Sequence, residues 1–352
     1  MQSPRFLLDI QSQPSSLRRV FDHQIGKGKH ALLEAAQILR AGRRVILTGM
    51  GASMYAAIPL EYFLSANGID AIAIESAELL HYRLRSCRDA VVVLASRSGD
   101  SIEITKLLDR LQVQTVTIGI TNEADSTLAR RADCSITVNS LADEMVAIQS
   151  YTGTLLALLL LGSAATNKLE STCSAVELAL QTLPGLINHG LETIAEWDGF
   201  LDPKATVYLL GRGPSWGSVL EGVLLFHETA KAAAVGMPAA SFRHGPVECV
   251  DEGFRSLIFA PEGPTRDLNL CLARDLVRFG GRVRMIGPER EGTEFPHWCR
   301  TPDVPEVLAP LAQIIPVQFA ALRLAQLKGL AVGRFRYTPH VTRDESSFAP
   351  TI

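Results

Sequence analysis

The sequence predicts an α/β protein built from two tandem copies of one domain, each a mostly parallel sheet flanked by helices on both faces. Three observations carry that expectation. First, 352 residues exceed the roughly 100–200 of a typical single domain. Second, one turn occurs twice: Arg43–Ser53 reads RRVILTGMGAS and Thr206–Ser215 reads TVYLLGRGPS, so that Gly49, Gly51 and Ser53 recur 162 residues later as Gly211, Gly213 and Ser215. A repeat at that separation is a repeated domain. Third, short runs of Val, Ile and Leu alternate with helical stretches, the pattern of parallel strands covered on both sides.

In the first copy, strands are expected at Ala71–Glu75, Ala90–Ala95, Thr115–Ile120 and Ser135–Val138. Helices are expected from Met54 to about Asn67, over Ile102–Leu111 and over Ser126–Ala132. The second copy offers a helical stretch from Ser215 to about Ala234, then strands Arg255–Ala260 and Arg282–Ile286 around a helix at Arg266–Phe279. Helical patterns at Met145–Ala165 and Ser174–Ile194 join the copies, and Pro310–Leu327 is a last helix with Pro316 inside it. The expected division is an N-terminal segment 1–28, a first domain 29–165, a helical linker 166–198, a second domain 199–330 and a tail 331–352 near the active site.

Composition excludes several classes. Hydrophobic residues are 47% and charged residues 20% of the chain, ordinary for a globular core. A net charge of −3 without a basic stripe excludes nucleic acid as the main partner. The six cysteines are scattered, with no C-x-x-C pair and no metal-ligand spacing, and no signal peptide opens the chain. The most apolar stretch, Leu155–Gly162, is far shorter than the ~20 residues that span a bilayer. A soluble cytoplasmic protein without metal, cofactor or membrane contact is expected.

In an open parallel sheet, ligands sit outside the carboxyl ends of strands, where loops enter helices and backbone N–H groups are unpaired. Ser96-Arg97-Ser98-Gly99-Asp100-Ser101 follows the buried run AVVVLA and precedes a helix. Hydroxyls that donate, a glycine that admits a close backbone approach and an arginine for charge-assisted bonds suit a phosphate monoester. Serine and aspartate are also ordinary helix caps, but a cap needs only one of them. A surface residue of the turn is the lesser reading of Arg97; its place between Ser96 and Ser98 favours phosphate. The Gly-Met-Gly-Ala-Ser turn lacks the third glycine of a dinucleotide fingerprint and offers the Ser53 hydroxyl instead.

The second copy has Pro261-Glu262-Gly263-Pro264 where the first has hydroxyls, so one phosphate site per chain is expected. Other chemistry is expected in Glu221–His244. Glu221 and Glu228 lie seven apart on one helix side, and His244 is pinned before Gly245-Pro246. Acids so placed commonly form a solvated face. A glutamate and a histidine are also the groups an aldose–ketose interconversion needs, one to move a proton between C1 and C2 and one to open the ring.

Together SRSGDS at 96–101, LGRGPSWGSVLEG at 210–222 and FRHGP at 242–246 make the chain resemble the sugar isomerase (SIS) domain family. The resemblance is to tandem-domain members: the isomerase half of glucosamine-6-phosphate synthase and stand-alone isomerases, deaminases and deglycases. It runs from Ile10–Leu17 to Phe335–Thr342. It implies two tandem SIS domains, a sugar-phosphate ligand held by Ser53, Ser96, Arg97, Ser98 and Ser101, proton transfer by Glu228, and ring opening by His244. It further implies a homodimer with His244 contributed across the interface.

Departures are specific. Leu225 stands where a lysine is common one turn before the glutamate, His340 where a Schiff-base lysine is expected in the tail (Pro339 in the adjacent register), and Ile148-Gln149-Ser150 where a Ser-Thr-Lys segment is usual. No glutaminase domain is present, so glutamine-dependent synthesis is not expected of this chain alone, and a route through a protein iminium is disfavoured. An isomerase, deaminase or deglycase acting on a ketose or amino-sugar 6-phosphate is the leading expectation. A catalytically reduced sugar-phosphate sensor is the alternative.

Overall fold

In a computed structural model, which describes residues 5–290, 295, 297–332, 334–337 and 341–344, the chain divides into two compact units. One comprises Ser12–Ser174 with the described tail residues from Phe335; the other comprises residues 5–11 with Ala175–Arg334.

The first unit follows the order α2 (Lys29–Ala41), β1 (Val45–Gly49), α3 (Ala52–Ala66), β2 (Ala71–Glu75), α4 (Ser76–Tyr82), β3 (Val91–Ala95), α5 (Ile102–Arg110), β4 (Val116–Thr121), α6 (Thr127–Arg131), β5 (Cys134–Thr137) and α7 (Gln149–Ala165), after a leading helix α1 (Arg5–Ile25). Its five strands are all parallel in the order β2-β1-β3-β4-β5. The chain winds outward in both directions from β1 and β3, which places a crevice at their carboxyl ends. Gly49 pairs with Ala95, so these two strands stop level and deliver their loops side by side. Both strands are buried throughout, as their unbroken apolar runs require in a doubly covered sheet. Ile46, Val92, Leu94, Ile104 and Leu107 form the core of one face, while α7 is buried at every position.

The second unit continues with α8 (Leu169–Glu192), which starts before its boundary, then β6 (Val207–Gly211), α9 (Ser215–Leu225), β7 (Ala234–Pro238), α10 (Ala239–Phe242), β8 (Arg255–Phe259), α11 (Arg266–Arg278), β9 (Arg282–Gly287), β10 (Trp298–Arg300) and α12 (Pro310–Leu327). Its strand order β10-β9-β8-β6-β7 is the first sheet's order under the repeat, again all parallel. Gly51 and Gly213 take the same positive φ, +50° and +55°, so the repeated turn is one conformation used twice. One predicted helix differs. The helix expected to run from Ser215 to about Ala234 stops at Leu225, passes through a π turn at Phe226–Ala230 and a left-handed Lys231, and the chain then enters β7. Alanine-rich sequence favours a helix locally, but pairing of Ala234–Pro238 with β6 overrides that preference. The edge strand β10 and the helix Arg5–Ile25 also escaped the pattern. No helix among the described residues is long and apolar enough to cross a membrane.

Candidate functional site

The first unit builds a turn whose shape is set before any ligand arrives. An added Cβ at Gly49 would lie 2.8 Å from the Ala95 carbonyl oxygen and 3.0 Å from the Met54 nitrogen, so only glycine lets β1 turn into α3 beside β3. Ser53 follows in the first turn of α3, half-buried. Beyond β3, the Ser96 N–H donates to the Ile120 carbonyl at 3.0 Å and prolongs the ladder by one residue. The Ser96 hydroxyl oxygen accepts from the Gly99 N–H at 3.1 Å and lies 3.4 Å from the Ser101 hydroxyl. Ser98 Oγ accepts from the Asp100 N–H at 3.3 Å. The Arg97 carbonyl accepts from the Asn122 N–H and the Thr121 hydroxyl, both at 3.1 Å. Ser96 is buried, whereas Arg97, Ser98 and Ser101 are half-buried.

The turn closes on Gly99, whose φ is +65°. A methyl there would also stand 2.5 Å from Ser126 Cβ and 3.0 Å from Thr121 Oγ1. Left-handed backbone costs a non-glycine residue about 1–2 kcal/mol, and overpacking a filled site adds about 1–3 kcal/mol. Gly99→Ala is therefore expected to destabilise the protein by about 2–5 kcal/mol, read as a lower urea midpoint at unchanged slope.

One neighbour of this turn has no counterpart among the predicted residues. Asp143 is 8% exposed. Its carboxylate accepts from the Gln149 N–H at 2.7 Å, the Ser150 N–H at 3.0 Å and the Ser150 hydroxyl, all at the start of α7. Burial pushes its pKa up, against those hydrogen bonds and the nearby positive charge of Arg97. The six-residue gap from Asp143 to α7 hides it from the usual capping spacing. Asp143→Ala strands buried donors at a helix start. Losses of about 1–3 kcal/mol follow for an unsatisfied buried group, and a thermal melt is expected several degrees lower.

The tail reaches the same turn: the Thr342 carbonyl accepts the Ile102 N–H, at the first residue of α5, at 3.1 Å. His340, the tail contact expected from the sequence, lies outside the described residues, as does Pro339. The Asp100 carboxyl is held below its usual range by hydrogen bonds from Thr127, with smaller help from Arg130 and Arg343 of the tail.

In the second unit Glu228 sits half-buried on the π turn that follows α9. The Lys231 ammonium donates to the Glu228 backbone carbonyl, and the Lys328 ammonium to the Lys231 carbonyl at 2.9 Å. The turn is thus tied down through its main chain. Leu225, in the position where a lysine was noted as usual, is fully buried. His244 is exposed; its N–H donates to the Ser241 carbonyl at 3.0 Å, and Gly245 beside it has φ +118°. The predicted residues therefore fall into two sets: Ser53, Ser96, Arg97, Ser98 and Ser101 on the first unit, Glu228 and His244 on the second.

The second unit's own turn at this position is filled by the chain itself. Ala260–Thr265 lies between β8 and α11 as Ser96–Ser101 lies between β3 and α5, with Glu262 in the place of Ser98 and Gly263 in that of Gly99. Glu262 pairs with Arg266 at 2.7 Å and with Arg290. A Cβ on Gly263 would come within 2.6 Å of the Glu306 carboxylate, which burial makes harder to ionise. Carboxylates occupy the ground where the first unit presents hydroxyls, so the second unit's turn does not repeat the phosphate turn. No group of three or more His, Cys, Asp or Glu able to hold a metal exists among the described residues.

Two parallel sheets of like order, with a hydroxyl-lined turn at the crevice of one, define a tandem α/β protein of the sugar-isomerase type. Residues 38–168 match the SIS domain model, and over that segment the chain belongs to the SIS domain family. It is 30% identical over 333 residues to the glutamine–fructose-6-phosphate aminotransferase (isomerizing) of Pyrococcus horikoshii, covering 92% of this chain and 55% of that protein. The chain thus spans about half the length of the curated relatives it matches. Among solved structures, it is similar to tagatose-6-phosphate ketose/aldose isomerase from Escherichia coli (TM-score 0.76, 19% identity, 99% of this chain and 98% of that one). It is also similar to glucosamine-6-phosphate deaminase from Thermotoga maritima (TM-score 0.74, 20% identity, 96% and 99%). At those identities the structures establish the shared fold.

Proposed function

We propose that the chain binds a sugar phosphate at the Ser96–Ser101 turn and catalyses isomerisation, deamination or deglycation of a ketose or amino-sugar 6-phosphate without hydrolysing glutamine. The observation that carries this reading is the turn itself. Hydroxyls of Ser96, Ser98 and Ser101, the half-buried Arg97 and the left-handed Gly99 converge at the crevice between β1 and β3. That is the position and donor set a phosphate monoester needs. The relatives' names supply the rest of the class, since they act on fructose 6-phosphate, tagatose 6-phosphate or glucosamine 6-phosphate.

In this reading the phosphate anchors one end of the sugar, so its binding free energy orients the reacting carbons. His244, brought from the neighbouring subunit of a homodimer, passes a proton to the ring oxygen as the C–O bond opens. The Glu228 carboxylate removes the proton from the carbon next to the carbonyl, leaving an enediolate, and returns it to the adjacent carbon while the hydroxyl proton passes from one oxygen to the other. No protein iminium and no cofactor take part. The domain limits 29–165 and 199–330 and a cytoplasmic setting belong to the same proposal.

A sensor that binds without turnover is the second reading, favoured by the buried Leu225 where a lysine was noted as usual. A panel of hexose, hexosamine and fructosamine 6-phosphates separates the two, read by thermal shift and by mass spectrometry of products. Shift with turnover supports the enzyme, shift without turnover supports the sensor, and no shift with any sugar phosphate sinks both.

A further inference from the structure

At the opposite end of the strands from the candidate phosphate turn, a recess of about 420 Å³ opens at the amino ends of β3 and β4. Three arginines line it. Arg85 and Arg88 flank the end of a short 3₁₀ turn, Leu84–Cys87, that leads into β3, and Arg110 lies in the last turn of α5. Gln112 and Thr115, from the link into β4, complete its polar lining, with Leu111 as an apolar wall. No acidic side chain lines the recess among the described residues.

Each of the three guanidinium groups is without an ion pair, a side-chain hydrogen bond or a ring contact among the described residues. In the same unit Arg44 pairs with Asp70 and Arg131 with Asp109, both at 2.8 Å, and Arg40 bonds the Ala165 carbonyl at 2.8 Å. The Asp109–Arg131 pair also removes the acid adjacent to Arg110 as a partner for it. One cation at the end of α5 has an ordinary explanation, because a helix C-terminus carries roughly half a negative charge. Three cations around one recess exceed that several-fold. Like charges converging on a concave surface repel one another, and an anion of matching charge relieves the repulsion.

We infer that this recess is a second anion site, distinct from the sugar-phosphate turn, and that it takes a small molecule bearing a diphosphate group. Arginine forks match phosphate oxygens in pairs, and three cations match the charge of a diphosphate better than that of a single phosphate group, which carries about −1.5 to −2 near neutral pH. The volume lies within the roughly 300–1,000 Å³ of small-molecule pockets. The Gln112 amide can donate to bridging or ribose-like oxygens, the Thr115 hydroxyl being turned to the Cys87 carbonyl at 3.5 Å, and Leu111 offers a face to an apolar portion. Because α5 is nine residues long, about 13 Å lies between this recess and the Ser101 end of the same helix. The two anions therefore do not compete for donors.

Isothermal titration with inorganic pyrophosphate tests this, first on the native chain and then on an Arg97→Ala/Ser98→Ala chain in which the sugar-phosphate turn is disabled. One pyrophosphate per chain is expected on the double variant, at least tenfold tighter than orthophosphate. Arg85→Lys/Arg88→Lys keeps the charges and, since neither residue lies in an α-helix, the fold. It is expected to weaken pyrophosphate at least tenfold while leaving the thermal melt unchanged. ADP as a second probe separates sources: tighter binding than pyrophosphate assigns a nucleotide, and equal binding assigns the diphosphate alone. Retained affinity in the lysine variant, or equal affinity for orthophosphate and pyrophosphate, overturns the inference as general attraction of anions to a basic surface. Neither result depends on whether the Ser96–Ser101 turn holds a sugar phosphate, which the native chain reports separately through hexose 6-phosphate binding.

Discussion

Glu228→Gln is expected to lower turnover by roughly a thousandfold on whichever 6-phosphate sugar the panel identifies, with substrate affinity changed less than about threefold. General acid–base groups contribute about 10²–10⁴ to rate, and glutamine keeps the shape while losing the ability to accept a proton. The substitution spares the fold because the π turn is fastened through main-chain carbonyls: Lys231 bonds the carbonyl of residue 228, and Lys328 that of Lys231. Loss of kcat with KM preserved marks an interaction made in the transition state alone. Unchanged turnover would remove Glu228 from the mechanism. A native protein that binds sugar phosphate and converts none would leave the variant nothing to lose, which is the sensor's signature.

Much of the fold could be read from residue pattern because parallel, doubly covered strands leave a plain trace. Val91–Ala95 and Arg255–Phe259 are buried at every position, so VVVLA and the LIF of the second strand stand out as apolar runs. The repeated Gly-x-Gly turn was equally legible, since its second glycine takes a positive φ in both copies. Edge strands leave less trace. In β7 one residue is buried and the others are partly or wholly exposed, and its apolar residues AVGMP include Gly236 and Pro238, which are depleted in strands. The sequence around it, Lys231-Ala232-Ala233-Ala234, reads as helix, and only the register against Val207–Gly211 makes it a strand. The π turn has no sequence mark either: a left-handed Lys231 is held by its tertiary contacts, without the glycine that such a φ ordinarily selects.

The candidate site divides along the same line. Ser96, Arg97, Ser98 and Ser101 were legible because they are contiguous, and local order determines what a turn can present. Asp143 was not, because its relation to the turn is made in space: its carboxylate bonds the start of α7, and the nearby charge of Arg97 offsets part of the upward push of burial on its pKa. Glu306 is a similar case. It lies more than forty residues beyond Gly263, yet its carboxylate packs against the surface where a Cβ would stand. The linear sequence showed that the second copy lacks the hydroxyls; the fold adds that the ground is already taken.

Removing the donors of the first turn is the complementary test. Arg97→Ala with Ser98→Ala is expected to weaken binding of the active 6-phosphate sugar by about 10²–10³-fold. A hydrogen bond to a charged group contributes about 1.5–3 kcal/mol and a neutral one about 1 kcal/mol, and each 1.4 kcal/mol is a tenfold change in Kd. The Ser98 hydroxyl oxygen already accepts from the Asp100 N–H, so its own proton is available to a ligand, and alanine removes that donor while also freeing one exposed-side amide. The backbone of the turn is held elsewhere, by the Arg97 carbonyl on Asn122 and Thr121 and by Ser96 on Ile120, so the double variant should melt within a few degrees of the native chain. Arg97→Lys discriminates further: a point charge keeps the long-range attraction but lacks the paired donors of the guanidinium, and an intermediate affinity with a steeper salt dependence is expected. A double variant that binds hexose 6-phosphates as tightly as the native protein would place the anion somewhere other than the crevice of β1 and β3.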